Sequence, residues 1–366
     1  MTMSERCSDN EDEEVRELVR DVFDVVGKFN LSDYIWLCKN MDLQGFRRRV
    51  EKVREKFHKM MQRIIAEHEE ARKINKETGE GDSRPVIDFS RENLEAARTS
   101  GWASRCKDVL KALEEYGCFV AVYNNVPLQL HADLFNVLEE LFDLPLETKR
   151  KNVSDIPFAG YVEIEPTRPF YESMGISHVE MLEGNKDFTK TMWPKGNDNF
   201  CKIVHSFSKA VEELHKLVVK MIFDGYGMEK NYQSHMESTT YFSRLVNYII
   251  PQLNENETKL GLYPHTDKSF LTILHQNDVN GWEIQTKNGE WVDVDLSSSS
   301  KFLVMAGEGI MGWSNNRIDA CDHRVTINRK EKRLSIGLFS YVKGIIKVPE
   351  EFVDEVPLKF TSSTVL

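Results

Sequence analysis

The feature that most restricts the fold of this chain lies in its last third. From about residue 236, short apolar runs follow one another with polar turns between them and no long helix. They are Tyr241–Ile250, Phe270–Gln276, Trp282–Thr286, Glu290–Asp293, Phe302–Ala306, His323–Ile327 and Arg333–Phe339. Such a series predicts an antiparallel sandwich or jelly roll. Upstream, the pattern predicts a strand at Pro85–Phe89, a helix over 91–116, a strand at Cys118–Tyr123 and a helix over 127–149. The stretch 150–195, with Pro157, Pro166, Pro169 and Pro194, reads as mostly irregular. Phe207, Val211, Leu214, Val218 and Ile222 recur at helical spacing and predict a long helix over 199–226. The expected class is α+β with a mainly β core and flanking helices.

A different composition precedes this. Residues 1–82 hold 19 acids and 16 bases, against 40 and 32 in the remaining 284, so the front is denser in charge. Apolar stripes at Val15–Val26 and Phe46–Ile64 predict two amphipathic helices with solvated faces. The polar, glycine-bearing run Lys76–Asp82 reads as a linker. The expected organisation is a helical extension over 1–82, a mostly helical region over 83–235, a jelly roll over 236–345 and a tail over 346–366.

The formal net charge of −11 leaves no basic surplus to meet phosphates, so a nucleic-acid partner is not expected. No apolar run approaches the roughly 20 residues that cross a bilayer, so no membrane segment is expected. The acidic start lacks the apolar core of a signal peptide. Cys7, Cys38, Cys106, Cys118, Cys201 and Cys321 are scattered without a C-x-x-C pair. They read as reduced thiols of a cytoplasmic protein, which excludes a zinc ribbon and a disulfide scaffold.

The chemistry-bearing residues sit among the predicted strands. His265-Thr266-Asp267 places an imidazole and a carboxylate two apart, on one face if the segment is a strand. Alone, such a pair is more often two solvated side chains than two ligands. His323 follows 56 residues after Asp267 at the start of a strand, where a single histidine is usually structural. Arg333-Leu334-Ser335 comes ten residues later, and a buried arginine there needs a carboxylate. Taken together, two histidines and one carboxylate form the facial triad that binds non-haem Fe(II) and leaves open positions. An arginine fork beside a hydroxyl suits the far carboxylate of a dicarboxylate.

This order resembles the 2-oxoglutarate- and Fe(II)-dependent dioxygenases of the isopenicillin N synthase-like superfamily. Further segments that fall in that family's order are Pro85–Ser90, Gly261–Asp267, Leu271–Leu274, Gly289–Val294, Trp313–Arg317 and His323–Val325, so the resemblance covers about 83–366. Met192–Asn197 and Glu257–Lys268 are similar to a plant branch that acts on glucosinolate side chains and other specialised metabolites. The resemblance implies a double-stranded β-helix in which His265, Asp267 and His323 hold Fe(II) and Arg333 and Ser335 bind 2-oxoglutarate. Relatives often carry Asn-Tyr-Tyr-Pro before the His-x-Asp, with a tyrosine hydroxyl on the cosubstrate; this chain departs with Asn247-Tyr248-Ile249-Ile250-Pro251, where only Tyr248 could serve. It further implies O2 as oxidant, ascorbate as a supporting reductant, and release of succinate and CO2. A small organic substrate would undergo hydroxylation, desaturation or oxidative dealkylation on a monomeric enzyme. Two further departures stand out: Gly307-Glu308 where relatives often have Gly-Asp, and an expected shortening of the C-terminal segment that often covers the site. Gly27–Trp36, Asp42–Phe46 and His68–Arg72 resemble mid-chain helices of a plant haem-thiolate cytochrome monooxygenase of the flavone synthase type. That family's cysteine loop is missing, so no haem is expected.

Two other classes remain open at this stage: a catalytically inactive jelly roll that binds a small molecule, and a cupin-type hydrolase or isomerase with another metal. The arginine fork argues against the second. His275, Trp282, Trp291 and Trp313 read as structural, while Phe170 and Tyr171 are candidates for the substrate pocket.

Overall fold

The computed structural model of the chain describes residues 85–90, 101–156, 159–250, 258–327 and 331–353, with a helical fragment at Lys52 and residues 54–56. By its contacts the chain divides into two units, Met1–Asp82 and Ser83–Leu366. Apart from the helical fragment, the two amphipathic helices expected in the first unit lie outside the described residues. So do the segments that resemble the monooxygenase, and the tail beyond Val353.

The second unit opens with β1 (Val86–Asp88), α1 (Trp102–Tyr116), β2 (Cys118–Val122), α2 (Leu128–Phe142) and one helical turn, α3 (Leu146–Lys149). Next come β3 (Tyr171–Ser177), α4 (Leu182–Met192), α5 (Asp198–Gly225) and α6 (Glu229–Ser238). The strand-rich part holds β4 (Thr239–Tyr248), β5 (Lys259–His265), β6 (Leu271–Gln276), β7 (Trp282–Gln285), β8 (Trp291–Asp293) and β9 (Lys301–Ala306). A short helix, α7 (Glu308–Trp313), then leads to β10 (His323–Ile327) and β11 (Arg333–Val342).

The strands form two sheets, one in the order β1-β2-β9-β6-β11-β4-β3 and a smaller one in the order β5-β10-β7-β8. Only β1 and β2 pair in parallel; the other pairings are antiparallel. One apolar core lies between the sheets, where Val246, Tyr248, Leu274 and Leu303 meet Trp282, Ile284, Val325 and Ile327. The other lies between the outer face of the large sheet and the helices, where Leu245, Ile273 and Ile336 meet Leu113, Leu134, Phe207 and Leu214. Adjacent strand residues therefore serve opposite cores, as the pleat requires. The result is the expected jelly roll with flanking helices.

The stretch 150–195 departs from expectation, since it contains β3 and α4. The prolines flank these elements rather than break them. The strand Tyr-Glu-Ser-Met-Gly-Ile-Ser has little β-branched character and is held by its pairing with β4 along seven positions. The strands expected from pattern alone do not include β5, which contains Gly261 and Pro264. The helix expected over 127–149 breaks at Leu144-Pro145 into α2 and α3, because proline disfavours helix in the residue before it.

Helix α5 is capped by Asn197, whose side-chain oxygen accepts from the Phe200 N–H at 3.0 Å. It carries His215, which is fully buried and 2.9 Å from the Tyr241 hydroxyl. On β6, His275 has one ring nitrogen 3.1 Å from the Lys301 carbonyl and the other 2.8 Å from His131 on α2. His275 therefore donates to the carbonyl and accepts from His131, which ties a helix to the sheet with neutral rings. Burial pushes His215 and His275 down to about 3, and His235 down to about 4.

Their folded values lie below the unfolded value near 6.5, so only the unfolded chain takes up these protons as pH falls from about 6.5 toward 4. Each group then removes about 1.4 kcal/mol of stability per pH unit, and three together about 4 kcal/mol. That is a large share of the roughly 5–15 kcal/mol that a domain has. The melting temperature should hold from pH 8 to about 6.5 and drop steeply by pH 5.5. A flat profile across that range would mean that the three rings are hydrated.

Candidate active site

Strand β5 ends at His265, and β10 begins at His323 directly across the ladder from it. Thr266 and Asp267 lie just beyond the strand, so the chain's turn, not the pleat, brings the carboxylate to the two rings. Nε2 of His265 is 3.8 Å from Oδ1 of Asp267, and Nε2 of His323 is 3.9 Å from the same oxygen. One ligand-capable atom from each residue lies within 4.8 Å of the others. Nδ1 of His265 is 2.8 Å from the Tyr263 carbonyl, and Nδ1 of His323 is 3.0 Å from the Cys321 carbonyl. Each Nδ1 therefore carries the hydrogen and donates it, leaving Nε2 with its lone pair toward the common centre. Burial first, and then His323, holds His265 below the ordinary histidine value, so the ring stays neutral as a metal ligand must.

Asp267 is oriented from two sides. Its Oδ2 accepts from the Thr272 hydroxyl at 2.6 Å, and that hydroxyl is 2.7 Å from Ser269. Its backbone carbonyl accepts from the Glu308 N–H at 2.7 Å. Glu308 also accepts from the Thr266 hydroxyl at 2.7 Å and from the Lys268 ammonium at 2.5 Å. One carboxylate thus fastens both neighbours of Asp267. This gives a role to the glutamate at a position where relatives often carry aspartate.

At the closed end of the barrel, Arg333 stands opposite Tyr248, and Ser335 stands opposite Val246 and Gln276. Arg333 is 1% exposed, with its guanidinium 4.5 Å from the Tyr248 ring centre and 5.0 Å from that of Trp282. Its Nη2 donates to Gln276 at 2.8 Å, while Nε and Nη1 find no acceptor among the described residues. The buried Tyr248 hydroxyl lies beside Arg333 and Ser335, yet it too makes no hydrogen bond of acceptable geometry. Burial raises the Tyr248 pKa, so the phenol stays protonated as a donor, and burial lowers that of Arg333. Gly281 makes room for this arrangement: a Cβ there would sit 3.1 Å from Arg333 Nε and 2.4 Å from the Thr326 carbonyl.

A buried cation with two unpartnered nitrogens is costly unless an anion meets it. A small dicarboxylate fits that demand, and its other end would face the His–Asp–His cluster. The residue types and the orphaned donors therefore suit both Fe(II) and 2-oxoglutarate.

Other sequence candidates fall into place around this centre. Tyr171 is buried with its ring edge-on to Tyr248 at 5.8 Å, and Phe170 packs against the inter-sheet core. Trp282 is a core residue that also walls Arg333, and Trp313 is buried in the outer core. Trp291 lies under Arg324 at 4.2 Å. His275 belongs to the structural pair with His131. Sequence reading missed Thr272 and Gln276, although their alternation along β6 with Leu274 could have placed both on the inner face. Glu308 was noticed only as a departure. The four described cysteines, Cys106, Cys118, Cys201 and Cys321, are buried. Among the described residues, no helix is long and apolar enough to cross a membrane.

Two facing, mainly antiparallel sheets around a His–Asp–His cluster and a buried arginine define a jelly-roll oxygenase of the non-haem iron type. Residues 241–341 match the family model of the 2OG-Fe(II) oxygenase superfamily, and residues 85–194 match that of the non-haem dioxygenase in morphine synthesis N-terminal region. The Arabidopsis thaliana probable 2-oxoglutarate-dependent dioxygenase AOP1 is 42% identical over 278 residues, covering 74% of this chain and 84% of that protein. Among solved structures, the Arabidopsis thaliana dioxygenase for auxin oxidation 1, in complex with 2-oxoglutarate, has a TM-score of 0.66 and 25% identity. That match covers 74% of this chain and 98% of the other. The rice dioxygenase for auxin oxidation has a TM-score of 0.64 and 27% identity, over 76% of this chain and 91% of its own.

The chain belongs to the 2OG-Fe(II) oxygenase superfamily. It is an Fe(II)- and 2-oxoglutarate-dependent dioxygenase that oxidises a small organic molecule.

Proposed function

We propose that His265, Asp267 and His323 hold the iron, and that Arg333, Ser335 and Tyr248 hold the far carboxylate of 2-oxoglutarate. The observation that carries this reading is that Nε and Nη1 of fully buried Arg333 find no acceptor among the described residues, on the inner face that leads to the His–Asp–His cluster. When bound with 2-oxoglutarate and O2, iron supplies an oxidant strong enough to break an unactivated C–H bond. The chain's own residues prepare for that chemistry. The Tyr263 and Cys321 carbonyls fix the tautomers of the two histidines. Thr272 turns Asp267 toward them. Arg333, Tyr248 and Ser335 set the reach of the cosubstrate, and Trp282 shields the fork from water. A specialised metabolite of the kind handled by plant relatives is the proposed substrate, with hydroxylation, desaturation or dealkylation as the outcome. We place the enzyme in the cytoplasm as a monomer without a nucleic-acid partner. Residues 83–366 would carry the whole activity.

Two measurements test this reading. Purified without oxygen, the protein should bind about one Fe(II) and convert 2-oxoglutarate to succinate, faster when a panel of plant metabolites contains a substrate. A chain beginning at Ser83 should keep both properties. Iron binding without any succinate would instead favour an inactive binding jelly roll, and a folded but inactive shortened chain would make residues 1–82 part of the enzyme.

Glu308 provides a further check. Groups that orient metal ligands typically contribute 10- to 100-fold in affinity. Because Glu308 acts through both neighbours of Asp267, Glu308→Ala should weaken Fe(II) binding about 10-fold, and Glu308→Asp should weaken it less. Equal iron affinity in all three proteins would reduce the carboxylate to a surface ion pair.

A further inference from the structure

The inner face of β4 carries a second cation that the cosubstrate fork does not use. Tyr248 and Val246 point into the inter-sheet core, whereas Leu245 and Tyr241 point into the outer one. By alternation, Arg244 and Phe242 share the inner face with Tyr248. Arg244 lies four residues from Tyr248, roughly 13 Å along an extended strand. The two arginines therefore cannot share one small ligand group.

Three observations mark this cation as unspent. Among the described residues it has no carboxylate partner. Its one hydrogen bond, to the Ser173 hydroxyl, is long at 3.4 Å, and its guanidinium lies 5.4 Å from the Phe242 ring centre. The residues paired directly with it across the ladders are Gly337 on β11 and Gly175 on β3, which carry no side chain. Burial also changes along the face. Tyr248, Arg333 and Ser335 are buried, but Arg244, Phe242, Phe339 and Tyr341 are half-exposed, which puts them at the open end of the barrel. The register sets this row beside the metal cluster: Phe339 pairs with Phe242 on one side and with Thr272 on the other, and the Thr272 hydroxyl donates to Asp267 at 2.6 Å.

We propose that Arg244 anchors the carboxylate of the organic substrate, and that the substrate is a small carboxylic acid with an apolar body. The body would lie against Phe242 and Phe339, whose ring centres are 6.0 Å apart. Arg244 thereby holds one end of the acid while a C–H bond further along faces the iron. This rests on the reading that His265, Asp267 and His323 form the iron site and Arg333 the cosubstrate site.

The test uses the full chain loaded with Mn(II), which does not turn over, and saturated with 2-oxoglutarate. A series of aryl and alkyl carboxylic acids, from acetate to naphthylacetate, is titrated against it alongside the matching amides. At least one acid should bind ten times more tightly than its amide. In Arg244→Leu that acid should lose on the order of 10- to 100-fold in affinity, the range of a charge-assisted hydrogen bond or two, while the amide should change little. Arg244→Lys should recover part of the loss. If no acid is preferred over its amide, or if the preference survives in Arg244→Leu, the anchor is refuted. Binding of 2-oxoglutarate to the same proteins is measured in parallel. Its loss in the unmodified chain would instead overturn the underlying site, and its retention in Arg244→Leu shows that the variant is folded.

Discussion

Arg333→Ala should raise the apparent KM for 2-oxoglutarate about 100-fold or more. The guanidinium is buried between Tyr248 and Trp282, and its Nε and Nη1 find no acceptor among the described residues. Removing one partner of a buried charge pair typically costs roughly 3–5 kcal/mol, because the other charge is left desolvated and alone. The KM for the organic substrate should move far less. Arg333→Lys should rescue only part of the loss, since one ammonium cannot present two parallel N–H groups. Ser335→Ala should cost about 0.5–1.5 kcal/mol, somewhat more if its bond is to a carboxylate. Steady-state succinate formation against 2-oxoglutarate concentration reads all three. If each variant kept the parent's dependence on 2-oxoglutarate, the cosubstrate would bind elsewhere.

Replacing any member of the His–Asp–His cluster should take turnover to background. Asp267 is the only anion among the three, and its side chain is 10% exposed between rings that are 37% and 2% exposed. Asp267→Ala removes both a ligand and the charge that offsets the metal's own. It should lower Fe(II) affinity by more than the 10- to 100-fold typical of outer partners. His265→Ala and His323→Ala should do the same, although each removes a neutral ligand and leaves the Asp267 charge in place. Iron content after anaerobic purification and substrate-dependent succinate formation should fall together. Full activity in any of the three variants would refute the facial triad. After aerobic purification, zinc is expected to occupy the same ligands, because it binds them more tightly than Fe(II).

The residues of the site were legible because their chemistry has few other uses in such an order. A lone His-x-Asp is ordinary, but with His323 and Arg333-x-Ser335 the set points to one metal and one dicarboxylate. The large sheet was legible for a similar reason: β6, β9 and β11 alternate or run continuously apolar between polar turns. Where the reading failed, the local signal was weak and long-range pairing supplied the structure. Strand β3 has poor β character, and β5 contains a glycine and a proline; both exist because β4 and β10 are there to receive them.

The sequence by itself determined which groups are available and on which side of a strand many of them stand, since a period of two is a local property. It also set the break in composition near residue 82. Only the tertiary structure decided which distant groups meet. The register of β10 on β5 brings His323 across from His265, and that of β11 on β4 brings Arg333 across from Tyr248. The turn after β5 swings Asp267 inward and lets Glu308 fasten its neighbours. The same registers leave Arg244 flanked by Gly337 and Gly175. Register is fixed by burying one face of each strand against partners far away in the chain, and a slip of one residue would turn every one of these side chains to the opposite core.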